Sequence, residues 1–298
     1  MISRRSFFKW FGGLTLLGAA SGAYAGIIEP VLRLNVTRWD VSPKDWPKDL
    51  KLRIAVITDL HACRPWMTPS RIRRICAKAN DLDADIILLA GDYVAGHRFV
   101  TNWVHSTEWA PALGTLKAPQ GVFAVLGNHD WWEDKTAQKN GHGPTFGRLA
   151  LEKAGIPVLE NDAVRVEKDG KPFWIAGLAD QLALLPKKGR RRRWGLHDLP
   201  GTLAQITDDA PVVLLAHEPD IFPKVPERVS LTISGHTHGG QVRLFGYSPI
   251  VPSIYGNRYA YGHIVEDDRH LVVSGGLGCS ILPVRVGMPP EITVIDLA

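Results

Sequence analysis

Five short apolar runs in this chain each end directly in a cluster of Asp, Asn or His. Residues 52–58 lead into Asp59-Leu60-His61, residues 85–90 into Gly91-Asp92, and residues 121–126 into Gly127-Asn128-His129-Asp130. Residues 212–216 lead into His217, and residues 230–234 into Gly235-His236-Thr237-His238. Runs this short and this rich in Val, Ile and Leu read as strands buried on both faces. In open α/β sheets, ligands bind just beyond the carboxyl ends of such strands.

The rest of the chain fits an α/β fold. Helical spacing over residues 70–80 puts Ile72, Ile75, Cys76 and Ala79 on one side. Residues 103–116, despite Pro111, and residues 145–154 also read as helices. Strands are expected at 164–166, 173–177, 241–244, 270–274 and 292–297, with a weak edge strand at 31–36. The first half thus alternates strand and helix, which implies a parallel sheet. The later strands imply a second sheet packed on the first. With 45% hydrophobic and 22% charged residues in 298, the composition is that of a globular protein, not a disordered one.

The N-terminus reads as an address. Arg4-Arg5 precedes Phe7, Phe8 and Lys9, then a glycine-containing stretch without charge up to Ile28, and Ala23-Tyr24-Ala25 has the small-x-small form of a cleavage site. This resembles a twin-arginine (Tat) export signal over residues 1–25, leaving a catalytic domain over 26–298. An uncleaved anchor helix is the alternative. Removing Arg4, Arg5 and Lys9 takes the formal charge from +5 to +2, too little to argue for a nucleic acid polymer as partner. An exported chain meets the Tat translocase and ends in the periplasm, or outside the inner membrane as a membrane-associated protein. The three cysteines, Cys63, Cys76 and Cys279, rule out a disulfide scaffold and are expected to be unpaired.

The polar clusters are of metal-ligand type. On extended backbone, residues i and i+2 share a face, so Asp59 and His61 can grip one ion while Leu60 turns inward. Glycine before Asp92, Asn128 and His236 lets the chain bend sharply. Each piece alone is common; their succession at five strand ends is not. The other histidines, His97, His105, His142, His197, His263 and His270, lack such a context and are read as surface residues. Trp66, Trp131 and Trp132 neighbour the clusters, either packing loops or forming an apolar rim for substrate. Arg285 is read as a surface residue or a contact to a substrate phosphate. The basic block at residues 190–193 is a solvated loop or a contact to anionic lipid or phosphorylated substrate.

Together these motifs resemble the calcineurin-like metallophosphoesterase superfamily, from about residue 51 to the end of the chain. Leu215-Ala216-His217-Glu218-Pro219-Asp220, His236-Thr237-His238-Gly239-Gly240-Gln241 and Pro290-Glu291-Ile292 are similar to its small bacterial phosphodiesterase branch of the YaeI and YkuE type, some of which carry twin-arginine signals. The resemblance implies two mixed β-sheets packed face to face and flanked by helices. It also implies a dinuclear centre in which Asp59, His61 and His238 hold one ion, Asn128, His217 and His236 hold the other, and Asp92 bridges. His129 sits over the site as the catalytic residue. Ala95 stands where protein phosphatases of the superfamily carry Asp and purple acid phosphatases carry Tyr, so neither activity is expected.

Two divalent ions ~3.5–4 Å apart activate a bridging hydroxide and clamp phosphoryl oxygens. A donor set of imidazole, carboxylate and amide suits Mn, Fe, Zn, Co or Ni better than Ca or Mg. The expected activity is hydrolysis of a phosphodiester or pyrophosphate in a small molecule, lipid or nucleotide. The same-class alternative is a UDP-2,3-diacylglucosamine pyrophosphatase of lipid A synthesis. The other-class alternative is a non-catalytic binding module on the same fold.

Overall fold

The computed structural model describes residues 4–186 and 193–298. Most of the basic block at 190–193 therefore lies outside the described residues; only Arg193 is seen.

Among the described residues thirteen strands are formed: β1 (Asn35–Val41), β2 (Leu52–Ile57), β3 (Cys63–Arg64), β4 (Ile86–Ala90), β5 (Asn102–Trp103), β6 (Val122–Val125), β7 (Asp162–Lys168), β8 (Lys171–Gly177), β9 (Val212–Leu215), β10 (Leu231–Ser234), β11 (Gly262–Glu266), β12 (Arg269–Val273) and β13 (Glu291–Leu297). One sheet has the order β1-β13-β2-β4-β6, the other β11-β12-β10-β9-β8-β7, and β3-β5 make a small ribbon. In the first sheet β13 runs antiparallel to β2 and the other pairs are parallel. In the second, β8, β9, β10 and β12 are parallel and the two outer hairpin strands antiparallel. Both sheets are mixed, and the fold is α/β with helices on the outside.

The period of two along the strands builds the layers. Ile54 and Val56 of β2, with Ile86, Leu88 and Ala90 of β4, meet Phe173, Ile175, Val213, Leu215 and Ile233 of the other sheet. The alternate residues Ala55, Ile57, Ile87 and Leu89 face the helices. Val212, Leu214 and Leu271 pack on the far side of the second sheet against Phe222 and Tyr259. Burial on both faces is why these strands read as uninterrupted apolar runs. The helix Pro69–Asn80 buries Ile72, Ile75, Cys76 and Ala79, with Thr68 accepting the Arg71 N–H at its start and Pro69 in the first turn.

Several expectations need correcting. Residues 241–244 are not a strand: Gly239, Gly240 and Gln241 all have positive φ, which breaks extended pairing, and what remains is two isolated bridges, Val242 with Val286 and Leu244 with Tyr247. The helix expected over 103–116 is confined to Ser106–Leu113, because Trp103 is claimed by pairing with Cys63. The edge strand begins at Asn35, not residue 31, since Val31 and Leu32 still belong to a helix. At the N-terminus the helix Arg4–Ala23 continues into a π-helix, Tyr24–Leu32. Apart from these corrections, residue 25, the expected end of the signal, lies within this continuous helical segment. All three cysteines are free and buried.

Candidate metal centre

β2, β4, β6, β9 and β10 end side by side, and their polar sequels converge. Asp59, His61 and His238 each bring a ligand atom within 4.8 Å of the others, and so do Asp92, His217 and His236. Asp92 also falls in a group with His61 and His129. Its Oδ2 is 3.2 Å from His217 Nε2 and 3.6 Å from His61 Nε2. His238 Nε2 lies 3.0 Å from His61 Nε2 and 3.4 Å from Asp59 Oδ1. Asn128 holds a buried amide oxygen without a hydrogen-bond partner.

The backbone that achieves this is not the extended chain expected for Asp59-Leu60-His61. Asp59, His61, Asp92, His236 and His238 all have φ between 47° and 68°, left-handed conformations that L residues enter at a cost. Such strain persists where surrounding structure enforces it and clusters at functional sites. The glycines follow from crowding: a Cβ on Gly127 would lie 2.4 Å from Asp92 Oδ1, and one on Gly91 2.6 Å from the Gly127 nitrogen.

Hydrogen bonds aim the rings. His61 Nδ1 donates to the Val94 carbonyl at 2.9 Å and His217 Nδ1 to the Ala90 carbonyl at 2.6 Å. Each ring then turns Nε2 toward the centre. His236 N–H donates to both Asp59 oxygens at 3.1 Å, and Thr58 donates to Asp59 Oδ2 at 2.9 Å. Burial pushes the Asp59 carboxyl up to about 7 and the His61 ring down to about 3. Burial would also raise Asp92, but the charged His217 hydrogen-bonded to it outweighs burial and holds the carboxyl well below its usual range. His217 is raised in return: burial opposes its charge and Asp92 wins.

These features meet the requirements of bound divalent metal. Buried carboxylates and imidazoles converge on one another instead of on separate partners, and the amide oxygen of Asn128, in the turn next to them in sequence, is buried without a partner. A cleft of about 530 Å³ lined by Trp131, His142, Arg148 and Glu160 holds none of these residues, so the chemistry lies elsewhere.

His129 is the part-exposed member. Its ring lies 5.0 Å from His61 and 5.0 Å from Trp132, its backbone N–H donates to Asp92 Oδ1, and ring Nε2 is 3.4 Å from Ser280 Oγ. Burial lowers its pKa, so at neutral pH the free ring is mainly uncharged and still carries one N–H to donate.

Three residues had other duties than expected or none foreseen. Asp130 accepts the N–H groups of Asp92, Tyr93, Val94 and Gly127 at 2.9–3.3 Å, locking the turn that carries Asp92 to the next one; its place at the end of the Gly127–Asp130 cluster was its one signal. Arg285 is neither at the surface nor open to substrate. It is fully buried, donates to the Gly275, Gly278 and Met288 carbonyls, and stands 3.2 Å from His238 Nδ1. His97, expected at the surface, is buried beside Cys63 and Trp66. Of the tryptophans, Trp131 is core, Trp66 is hydrogen-bonded to the Gly26 carbonyl, and Trp132 alone borders the site, with Arg193 4.3 Å over its ring.

Comparison with known proteins agrees with this geometry. Residues 52–240 match the calcineurin-like phosphoesterase family. The metallophosphoesterase YkuE of Bacillus subtilis is 30% identical over 303 residues, covering 99% of this chain and 98% of its own. Phosphodiesterase YaeI of Escherichia coli is 30% identical over 306 residues, covering both chains fully. Among solved structures, the NAD nucleotidase of Haemophilus influenzae aligns with 76% of this chain at 18% identity and a TM-score of 0.46; this chain spans about half of that protein, 51%. A site of this make-up within a family match over most of the folded body leads to one assignment: the protein belongs to the calcineurin-like phosphoesterases and is a metal-dependent hydrolase.

Proposed function

We propose that this protein is an exported dinuclear phosphoesterase that hydrolyses phosphodiester or pyrophosphate bonds. The observation that carries the reading is the placement of Asp92 between two ligand groups, one with Asp59, His61 and His238, the other with His217 and His236. Asn128 completes the second group with its free amide oxygen. Phosphodiesterase YaeI, similar along its full length, supports a diester substrate.

Two divalent ions held by these groups would supply an activated water and would neutralise charge on the phosphoryl oxygens. Asp92 keeps the two groups at a fixed separation, and Asp130 keeps Asp92 in place. His129 faces the opening and donates its N–H toward the departing oxygen, a role worth ~10²–10⁴-fold for a group that leaves as a poor anion. Trp132 and Arg193 flank His129, offering an apolar face and a positive charge to whatever lies beyond the phosphate. The Arg4-Arg5 pair ahead of an apolar helix supports Tat export with the body outside the inner membrane.

Purified protein assayed on bis-p-nitrophenyl phosphate tests the activity. Turnover should vanish after chelation and return with Mn²⁺. Full turnover after exhaustive chelation, or none with any first-row ion, contradicts the proposal.

A further inference from the structure

The N-terminal helix does not stop where it reaches the body. In its continuation, Tyr24–Leu32, Glu29 and Pro30 are buried. The Ala25 carbonyl accepts the Arg285 N–H at 2.9 Å, the Gly26 carbonyl accepts the Trp66 indole N–H at 2.8 Å, and Glu29 Oε1 accepts the Met288 N–H at 2.7 Å. Arg285 in turn stands against His238. This segment is therefore bonded to the wall of the metal centre, while Ile27 and Ile28 on it are exposed.

The loops bonded to that wall carry more exposed apolar side chains. Gln241 donates to the carbonyls of Leu282 and Val284, and Arg243 N–H to that of Val286. From these loops Leu244, Phe245, Ile281 and Leu282 project into solvent. Phe245 and Ile281 do so from left-handed backbone, φ 52° and 64°, where a β-branched residue is an outlier and glycine is at ease. Neither burial nor local conformation accounts for them. Ser280, next to Ile281, is the residue 3.4 Å from His129 Nε2, so this apolar rim borders the catalytic opening.

The helix Arg4–Ala23 and its continuation together supply Gly13–Leu32, 20 residues with the length and composition of a membrane span, ~30 Å at 1.5 Å per residue, the thickness of a bilayer core. Arg4, Arg5 and Lys9 stand at its far end, as the positive-inside rule requires of a chain whose body lies on the other face. An apolar rim continuous with a membrane-length helix has the bilayer as its natural occupant.

We propose that the helix is retained as an anchor and that Ile27, Ile28, Leu244, Phe245, Ile281 and Leu282 insert into the bilayer surface beside it. The metal centre then opens onto the headgroup layer and takes phosphodiesters whose apolar part stays in the membrane. The substrate clause rests on the phosphoesterase reading above. Water adds to phosphorus, the bond to the departing alcohol or phenol breaks, the proton leaves with it, and the lipid keeps a phosphate monoester.

The test uses the full chain in phosphatidylcholine vesicles. Because Cys63, Cys76 and Cys279 are buried, a Phe245→Cys variant offers one accessible thiol for a bimane label. Lipids brominated on the acyl chain should quench that label; an unquenched, water-like emission overturns the insertion. For the site, phosphatidyl-p-nitrophenol in the vesicles is compared with soluble bis-p-nitrophenyl phosphate, which releases the same phenol. The triple variant Phe245→Ser, Ile281→Gly, Leu282→Ser should lose about ten-fold or more on the vesicle substrate and stay within about two-fold on the soluble one. Equal losses on both, or none on either, overturn the proposal. If the parent protein hydrolyses neither substrate, the phosphoesterase reading fails, and the label alone decides the docking.

Discussion

Asp130 shows how much of a metal centre is built by residues that touch no metal. Its carboxylate gathers four backbone N–H groups from two turns, one of which carries Asp92. Burial and the charge of Asp92 push it up to about 7, while those donors act in the opposite direction. Replacing it by Asn leaves one accepting oxygen and sets an NH₂ against N–H donors. Asp130→Asn should cost ~2–4 kcal/mol, since hydrogen bonds to charged groups contribute ~1.5–3 kcal/mol each. Denaturant unfolding reads that loss; unchanged stability would mean that the turns hold themselves. The candidate ligands were legible from the sequence because their residue types are rare in succession at strand ends. Asp130, Arg285 and His97 were not, because burial and orientation depend on neighbours far along the chain, such as the Gly275 carbonyl that Arg285 meets.

At the scale of elements, apolar runs told where the central strands lie, and the ligands follow from where those strands stop. Leu88 of β4 lies between Val56 of β2 and Phe123 of β6 and is fully buried between the sheets. Leu88→Ala should destabilise the protein by ~2–5 kcal/mol, the range for a buried leucine that leaves a cavity. A loss under ~1 kcal/mol in unfolding experiments would mean the inter-sheet layer can collapse around the gap. Polar strands were harder to see. β1, whose residues are Asn-Val-Thr-Arg-Trp-Asp-Val, and β11 lie at sheet edges, where half the side chains meet water and the apolar signal thins. The failure at residues 241–244 has the opposite cause: apolar residues there serve turns and an exposed rim, not a sheet.

For the whole molecule, an address ending at residue 25 was the expectation from sequence, and the helix runs through that point into contacts with Trp66, Arg285 and Met288. Export and anchoring are separable. Arg4→Lys with Arg5→Lys should leave the folded protein in the cytoplasm, read by fractionation; unchanged export would exclude the Tat route. The face-to-face sheet arrangement came from the family resemblance, since strand periodicity alone does not tell which strands pair across 240 residues, as β2 and β13 do.

The central claim is that Asp92 joins two metal sites and His129 belongs to neither. Metal content per chain, measured by plasma mass spectrometry on purified protein and two variants, tests it most directly. The account predicts about two ions in the parent and in His129→Ala, and one or none in Asp92→Asn, because two cations a few ångströms apart repel without a shared carboxylate. One ion in the parent, two retained in Asp92→Asn, or loss of metal in His129→Ala would contradict it.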